Sequence, residues 1–252
     1  SAMTWKNLGE SFDIHGGGLD LTFPHHECEV AQSKGCFGED SFAKYWMHNG
    51  FIQVDNEKMS KSLGNFFTLK DIFKKFDPDV VRFMFLQTHY RNPINFSDVL
   101  LDQAKAALSR LRDCVAGLTR FDSFSAECDL ARDAEVALKG FESAMNNDFD
   151  TSGALGCVFD FVKSVNIALA GGNVSQDGKD HALKFFASVD EVFAVIESDD
   201  ESIDSEVDAL IEERNQARES RDFSRADQIR DELLERGIIL EDTANGTIWK
   251  KT

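Results

Sequence analysis

Apolar residues recur at helical spacing over most of the second half of the chain. Ser97 reads as the N-cap of a long helix whose stripe runs through Leu100, Leu101, Ala104, Leu108 and Leu111. Further amphipathic stretches span roughly Arg132 to Met145, Thr151 to Leu169 and Gln176 to Ile196, joined by short polar segments. That spacing predicts an antiparallel helical bundle. Two shorter helices are expected before it: Leu69 to Phe76, then one opened by Asp77 as cap and Pro78 in the first turn, running to about His89 with Val81, Met84 and Phe85 on its apolar face. Tyr90-Arg91-Asn92-Pro93 breaks that second helix.

The first half has a different period. Phe12 to His15 reads as a short strand feeding a tight loop at Gly16-Gly17-Gly18, where glycine permits positive φ and a close ligand approach. Pro24 then opens a helical stretch from His25 to Ser33. Phe42 to Val54 predicts a buried strand, a turn at Asn49-Gly50 and a second short strand. At the far end, Val207 to Arg221 and Ser224 to Arg236 read as charged helices with Phe223 between them. Gly237 ends the second. Ile238 to Asp242, Asn245-Gly246 and Thr247 to Lys251 read as a hairpin. A helix-plus-hairpin module of about 45 to 50 residues is below the size that stabilises itself easily, so it is expected to lean on a neighbour or a ligand.

Composition narrows the function classes. The 252 residues carry a net charge of −18, which argues against a general nucleic-acid binder, although local basic patches can sit on an acidic body. Much of the acid lies in the run from Glu197 to Asp208, read as an exposed linker or helix entry. Only 3 Pro and as many as 22 Phe favour long helices over proline-rich linkers. Apolar runs near 18 residues and a signal peptide are not found, so no membrane partner is expected. The 5 Cys, an odd count without framework spacing, fit reduced thiols in a cytoplasm. Ser1-Ala2-Met3-Thr4-Trp5 has no initiator Met and no lead-in strand, as if the chain began inside a larger fold.

Chemistry concentrates in three places. Lys58-Met59-Ser60-Lys61-Ser62 sets two lysines three apart in a loop-forming run. Two ammonium groups aimed at one polyanion are what phosphoryl or adenylyl transfer needs, because its catalysis is mostly charge stabilisation. A solvated basic turn would look the same from Lys-x-x-Lys alone. His15 and the glycines precede Asp20, which is placed to accept hydrogen bonds from sugar hydroxyls. His25, His26, Cys28 and Glu29 crowd a helix start. His25 and Glu29 (i, i+4) or His26 and Glu29 (i, i+3) share a face and can reach one metal, or else form a polar helix start without one. His48 fits either a ligand contact or a satisfied core histidine.

Taken together these segments resemble the cysteinyl-tRNA synthetase family of class I aminoacyl-tRNA synthetases. The resemblance rests on Phe12 to Leu21, Phe23-Pro24-His25-His26-Glu27, Tyr45-Trp46-Met47-His48 and Lys58 to Asn65. It extends to Gly237-Ile238, Leu240-Glu241-Asp242, Gly246-Thr247 and Trp249 in the tail. It implies an α/β plus mostly α architecture in four parts. Residues 1–68 would be the C-terminal half of a Rossmann-type catalytic domain with the KMSKS loop, 69–96 connecting helices at the tRNA stem, 97–200 a helical bundle that binds tRNA, and 201–252 an anticodon module.

The resemblance also implies the reaction. L-cysteine and ATP with Mg²⁺ form cysteinyl-adenylate and pyrophosphate, and the cysteinyl group passes to tRNA(Cys) in a monomeric cytoplasmic enzyme. Lys61 would contact ATP with Lys58 in support, and His15, Gly16, Gly17 and Asp20 would line the adenylate pocket. One Zn²⁺ would bind the substrate thiolate through His25, Glu29 and two Cys that lie outside this chain. His26 becomes a neighbour, and Cys28 departs from the family, which usually has a non-thiol polar residue there. The family's His-x-Gly-His string is absent from this sequence, so the implied partner is an N-terminal half, without which the chain is expected to be inactive. Arg218, Phe223, Asp227 and Asp242 become candidate anticodon contacts, by stacking and edge recognition, or else ordinary surface charge. A non-catalytic tRNA- or partner-binding fragment, a cysteine:amino-sugar ligase and a structural zinc protein are the competing readings.

Overall fold

Residues 98–196 bury the apolar stripes that the spacing marks out. The computed structural model describes residues 1–54, 57–59, 68–125, 129–196, 210–218, 222–235, 237–243 and 246–251. They fall into two units, Ser1–Glu197 and Ser198–Thr252.

In the first unit, α5 (Asp98–Arg120), α6 (Leu130–Asn146), α7 (Thr151–Gly171) and α8 (Gln176–Phe193) share one core with α4 (Pro78–Leu86). The caps are those that the sequence marks. Ser97 Oγ accepts from the Leu100 amide at 3.3 Å, and Asp77 caps α4 ahead of Pro78. Ser97→Ala should therefore cost about 1 kcal/mol, read as a lower urea midpoint at unchanged slope. Phe161, Phe185 and Phe186 meet in the core, with ring centroids 4.8 to 5.5 Å apart. Carbonyls at the bundle's ends are satisfied by cations. Lys179 Nζ donates to the carbonyls of Thr119 and Phe121 at the end of α5. Arg112 donates to the Val195 carbonyl and to Asp79 Oδ2.

Among the described residues, α7 is the one helix long and apolar enough to cross a membrane. Ala154, Leu155, Val158, Phe161, Val162 and Val165 turn inward to the bundle core, which accounts for that apolarity. Earlier in the chain α3 is a single turn, Leu69–Ile72, rather than a helix to Phe76. Thr68 caps it and the chain then turns.

The first fifty residues form α1 (Ala2–Leu8), β1 (Ser11–Gly18), α2 (Glu27–Phe37) and β2 (Phe42–Asn49). Two expectations are corrected here. First, the three glycines are strand, not loop. None has positive φ, and Gly16, Gly17 and Gly18 stand opposite Met47, His48 and Asn49. Second, Phe42 to Val54 holds the two strands expected, but they do not pair with each other. β2 pairs with β1 in parallel, while β3 (Ile52–Val54) belongs to a separate sheet of order β4-β3-β5 with β4 (Glu57–Lys58) and β5 (Ile94–Asn95). Nor is β2 uniformly buried, since Tyr45 is 68% exposed. Pairing with strands remote in sequence outweighed the local turn signal at Asn49-Gly50.

The second unit holds α9 (210–218), α10 (Phe223–Glu235) and the antiparallel pair β6 (Ile238–Thr243) and β7 (Gly246–Lys251). Ile211, Ile229, Leu233 and Ile238 form its core. Gly237 ends α10 at φ 75°, the left-handed geometry that favours glycine. Phe223 begins α10 instead of joining two helices. The acidic run from Glu197 to Asp208 lies outside the described residues.

Candidate functional site

Because β1 is extended through Gly18, its side chains alternate, and His15 and Gly17 lie on one face. Parallel pairing sets His15 beside Trp46 and Gly17 beside His48. The chain then turns through Thr22–His26, with Phe23 extended at φ −134°, so His25 and His26 precede α2 instead of lying inside it. This turn lowers His26 onto Gly17. A Cβ at Gly17 would stand 2.8 Å from His26 Cε1, which is why glycine is needed there.

His26 is 4% exposed and its Nδ1 lies 2.8 Å from His48 Nε2, a hydrogen bond that one imidazole donates to the other. Burial, with the neighbouring His15 and His48, pushes the His26 imidazole below its ordinary value. A neutral ring keeps a lone pair for a ligand. Its ring meets that of His15 edge-on at 4.6 Å, and Trp46 packs against both at 4.9 and 5.2 Å.

Glu29, in the first turn of α2, points into this cluster. Oε1 accepts from the Ser1 ammonium at 3.4 Å. Oε2 is buried with no hydrogen bond, although His15 Nε2 is 3.3 Å away and His25 Nε2 3.9 Å away. A buried carboxylate oxygen left unsatisfied is costly unless something binds it. Donor atoms of His15, His26 and Glu29 all lie within 4.8 Å of one another, and such a nitrogen and oxygen donor set fits a divalent metal.

Spacing left His25 and His26 both open as partners of Glu29, and the family resemblance selected His25. The structure holds His25 in reach but 61% exposed, and it adds His15, which reads from sequence as a nucleotide contact. The signal for His15 was its two-residue offset from Gly17, legible only if the strand runs through the glycines. Cys28 is exposed. Asp20 sits in a turn at Leu19–Leu21, its Oδ1 so close that a Cβ at Gly18 would be 2.7 Å from it.

Lys58 lies in β4, opposite Gln53. Lys61, with the rest of the loop through Phe67, is outside the described residues. Of the tail candidates, Arg218 is exposed on α9. Phe223 and Asp227 are exposed one turn apart on α10, and Asp242 stands in β6 opposite Thr247.

Three family models match along the chain. That for the tRNA synthetases class I (C) catalytic domain covers residues 1–106, that for the DALR domain residues 140–197, and that for the cysteinyl-tRNA ligase anticodon binding domain residues 200–249. The chain is 47% identical over 257 residues to the cysteine–tRNA ligase of Shouchella clausii, covering 100% of this chain and 55% of that protein. It is 47% identical over 262 residues to that of Bacillus velezensis, with the same coverage. Against that of Geobacter sulfurreducens it is 45% identical over 271 residues, covering 99% of this chain and 56% of that one. The chain thus spans about half the length of these relatives. Among solved structures it resembles Agrobacterium radiobacter LeuRS in a ternary complex with tRNA and LeuAMS. The TM-score is 0.58 and the identity 20%, over 74% of this chain and 28% of that one, a likeness of fold alone.

Proposed function

The chain belongs to the cysteinyl-tRNA ligase family, and on that premise we propose that it is part of an enzyme that activates L-cysteine with ATP and transfers it to tRNA(Cys). The observation that carries this reading is Glu29. Its buried, unsatisfied Oε2 faces two histidines in a chain that is 47% identical, over its own length, to about half of a cysteine–tRNA ligase.

Zinc fits that donor set. Glu29 and His25, with His15 and His26 beside them, would hold it, and the family resemblance supplies two Cys from outside this chain. A bound zinc discriminates by ligand chemistry, since a thiolate binds it well and the hydroxyl of serine poorly. The protein's own groups do the rest. Trp46 and His48 fix the ring of His26, so the donors need not reorganise when substrate enters. Gly16, exposed on β1, leaves that surface open to an adenylate, with Gly17 beneath His26 lining it, and Asp20 accepts hydrogen bonds from its ribose. Lys61, supported by Lys58, neutralises charge developing on the pyrophosphate leaving group, the triphosphate arriving with Mg²⁺.

The helical bundle lies along the tRNA, and Phe223 stacks an anticodon base whose edges Arg218, Asp227 and Asp242 read. The domain division follows the same reading: 1–68 catalytic, 69–96 stem contact, 97–200 tRNA-binding bundle and 201–252 anticodon module. Parallel strands are ordinarily covered on both faces. The exposed Ile14 and Tyr45 of β1 and β2 thus suit cover by the remaining length of such an enzyme. The exposed thiols Cys28 and Cys36 suit a reducing cytoplasm. An amino-sugar ligase would have no use for the anticodon module that residues 200–249 match.

The test is cysteine-dependent ATP–pyrophosphate exchange and tRNA(Cys) charging by the full-length protein, with serine as the competitor. Exchange with cysteine and little with serine is expected. Absence of exchange, with tRNA binding retained, would leave a non-catalytic tRNA-binding protein instead.

A further inference from the structure

Asp148 and Phe149, in the turn between α6 and α7, adopt φ 56° and 55°. Two successive non-glycine residues in the left-handed region are unfavourable. Such geometry persists where surrounding contacts over-determine it, and it clusters at functional positions.

The contacts are those of one carboxylate. Asp148 Oδ1 accepts from the Tyr90 hydroxyl at 2.7 Å and from Arg91 Nη2 at 3.1 Å. Oδ2 accepts from Arg91 Nε at 2.5 Å and stands 3.9 Å from His89 Nε2. Tyr90 is itself clamped, with His89 stacked on it at 4.9 Å and the Arg91 guanidinium 5.2 Å from its ring centre. Three consecutive side chains after α4 thus converge on one residue of the bundle. The Arg91 and Tyr90 hydrogen bonds hold the Asp148 carboxyl down to about 2, so it is a carboxylate throughout the neutral range. Arg91 and Asp148 are about half exposed, where ion pairs contribute little to stability. Stability alone is a poor reason for the strained turn.

The same loop is tied to the strand that carries Lys58. The Gly50 amide donates to the Tyr90 carbonyl at 2.7 Å, and any Cβ on Gly50 would collide with the Asn92 backbone. Next along the chain, the Ile94 amide donates to the Phe51 carbonyl at 2.9 Å and the Phe96 amide to that of Gln53 at 2.7 Å. Gln53 in turn stands opposite Lys58, and the Met59 amide donates to the Ile52 carbonyl at 3.0 Å. A continuous set of hydrogen bonds therefore runs from the α6–α7 turn to β4.

We infer that Asp148 is a positioning residue that fixes the Lys58 strand relative to the helical bundle, so that tRNA seated on the bundle meets the lysine loop in register. This rests on the functional reading above. It separates the two half-reactions. Adenylate formation needs the lysine loop but no tRNA. Transfer needs both the bundle and the catalytic strands in fixed relation.

The test uses the full-length enzyme and the variants Asp148→Ala, Arg91→Ala and their double. The kcat for tRNA charging should fall about tenfold in each single variant, the size expected of coupling through a packed network. Cysteine-dependent pyrophosphate exchange and the KM values for cysteine and ATP should stay within about twofold. The double variant should fall no further than the singles, because both remove one link. Equal loss of both half-reactions, no loss in either, or additive losses would overturn the inference. Should Asp148→Ala not fold, Tyr90→Phe removes only one hydroxyl, and its deficit must still be confined to charging. Wild-type enzyme that activates no cysteine would overturn the functional reading itself. Active wild type with unselective variants would overturn this inference alone.

Discussion

Glu29→Gln in the full-length protein is expected to lower cysteine-dependent pyrophosphate exchange by about 100-fold or more and to lower zinc content in parallel. Three features set that size. Glu29 Oε2 is buried without a hydrogen bond, while Oε1 has a long contact to the Ser1 ammonium at 3.4 Å, so a bound cation would supply the partner that Oε2 lacks. The amide of Gln keeps the shape and removes the charge, which leaves the His donors in place without their anionic partner. Even changes beside a metal's direct ligands commonly cost about 10- to 100-fold, and loss of a ligand costs more. The companion measurement is metal analysis of the purified variant. His25→Ala and His15→Ala, measured alongside, assign the donors. The family resemblance expects His25 to matter more, while proximity to Oε2 favours His15, at 3.3 Å against 3.9 Å. Full activity and full zinc in Glu29→Gln would remove Glu29 from the metal set.

Phe185→Ala is expected to cost the helical bundle about 3 to 5 kcal/mol, with a fall in thermal midpoint of roughly 10 °C for a unit of this size. Phe185 is 2% exposed and meets Phe161 edge-on at 4.8 Å and Phe186 at 5.3 Å. Truncation removes the buried ring, its aromatic pairings and the packing of α8 on α7 at once. Phe185→Leu keeps most of the volume and should cost much less. A loss below about 1 kcal/mol for the Ala variant would mean that α7 and α8 close over the gap. Urea unfolding followed by far-ultraviolet circular dichroism measures both. The effect should be confined to Ser1–Glu197, since the second unit has its own core around Ile229, Leu233 and Ile238.

The sequence alone determined the order of the bundle helices and several of their ends, while α1 and the C-terminal ends of α3 and α4 were not read from it. Ser97, Asp77 and Gly237 marked helix ends by capping chemistry, and the stripe from Leu101 to Leu111 marked the buried face of α5. Those signals are local, written within a turn or two of the residues they govern, so no distant partner is needed to read them. The two lysines and the His25–Glu29 spacing were legible for the same reason. What the tertiary structure decided is everything that depends on strands meeting across the chain. Only the β1–β2 pairing shows that Gly16 to Gly18 are strand, that His15 therefore faces Gly17, and that His26 descends onto Gly17. Only the β4-β3-β5 order separates β3 from β2 despite Asn49-Gly50 between them. Only the fold brings Asp148 to Arg91 across 57 residues. Strand register and long-range ion pairs are set by partners that no local period encodes, and the candidate donor cluster of His15, His26 and Glu29 is made of both kinds of information.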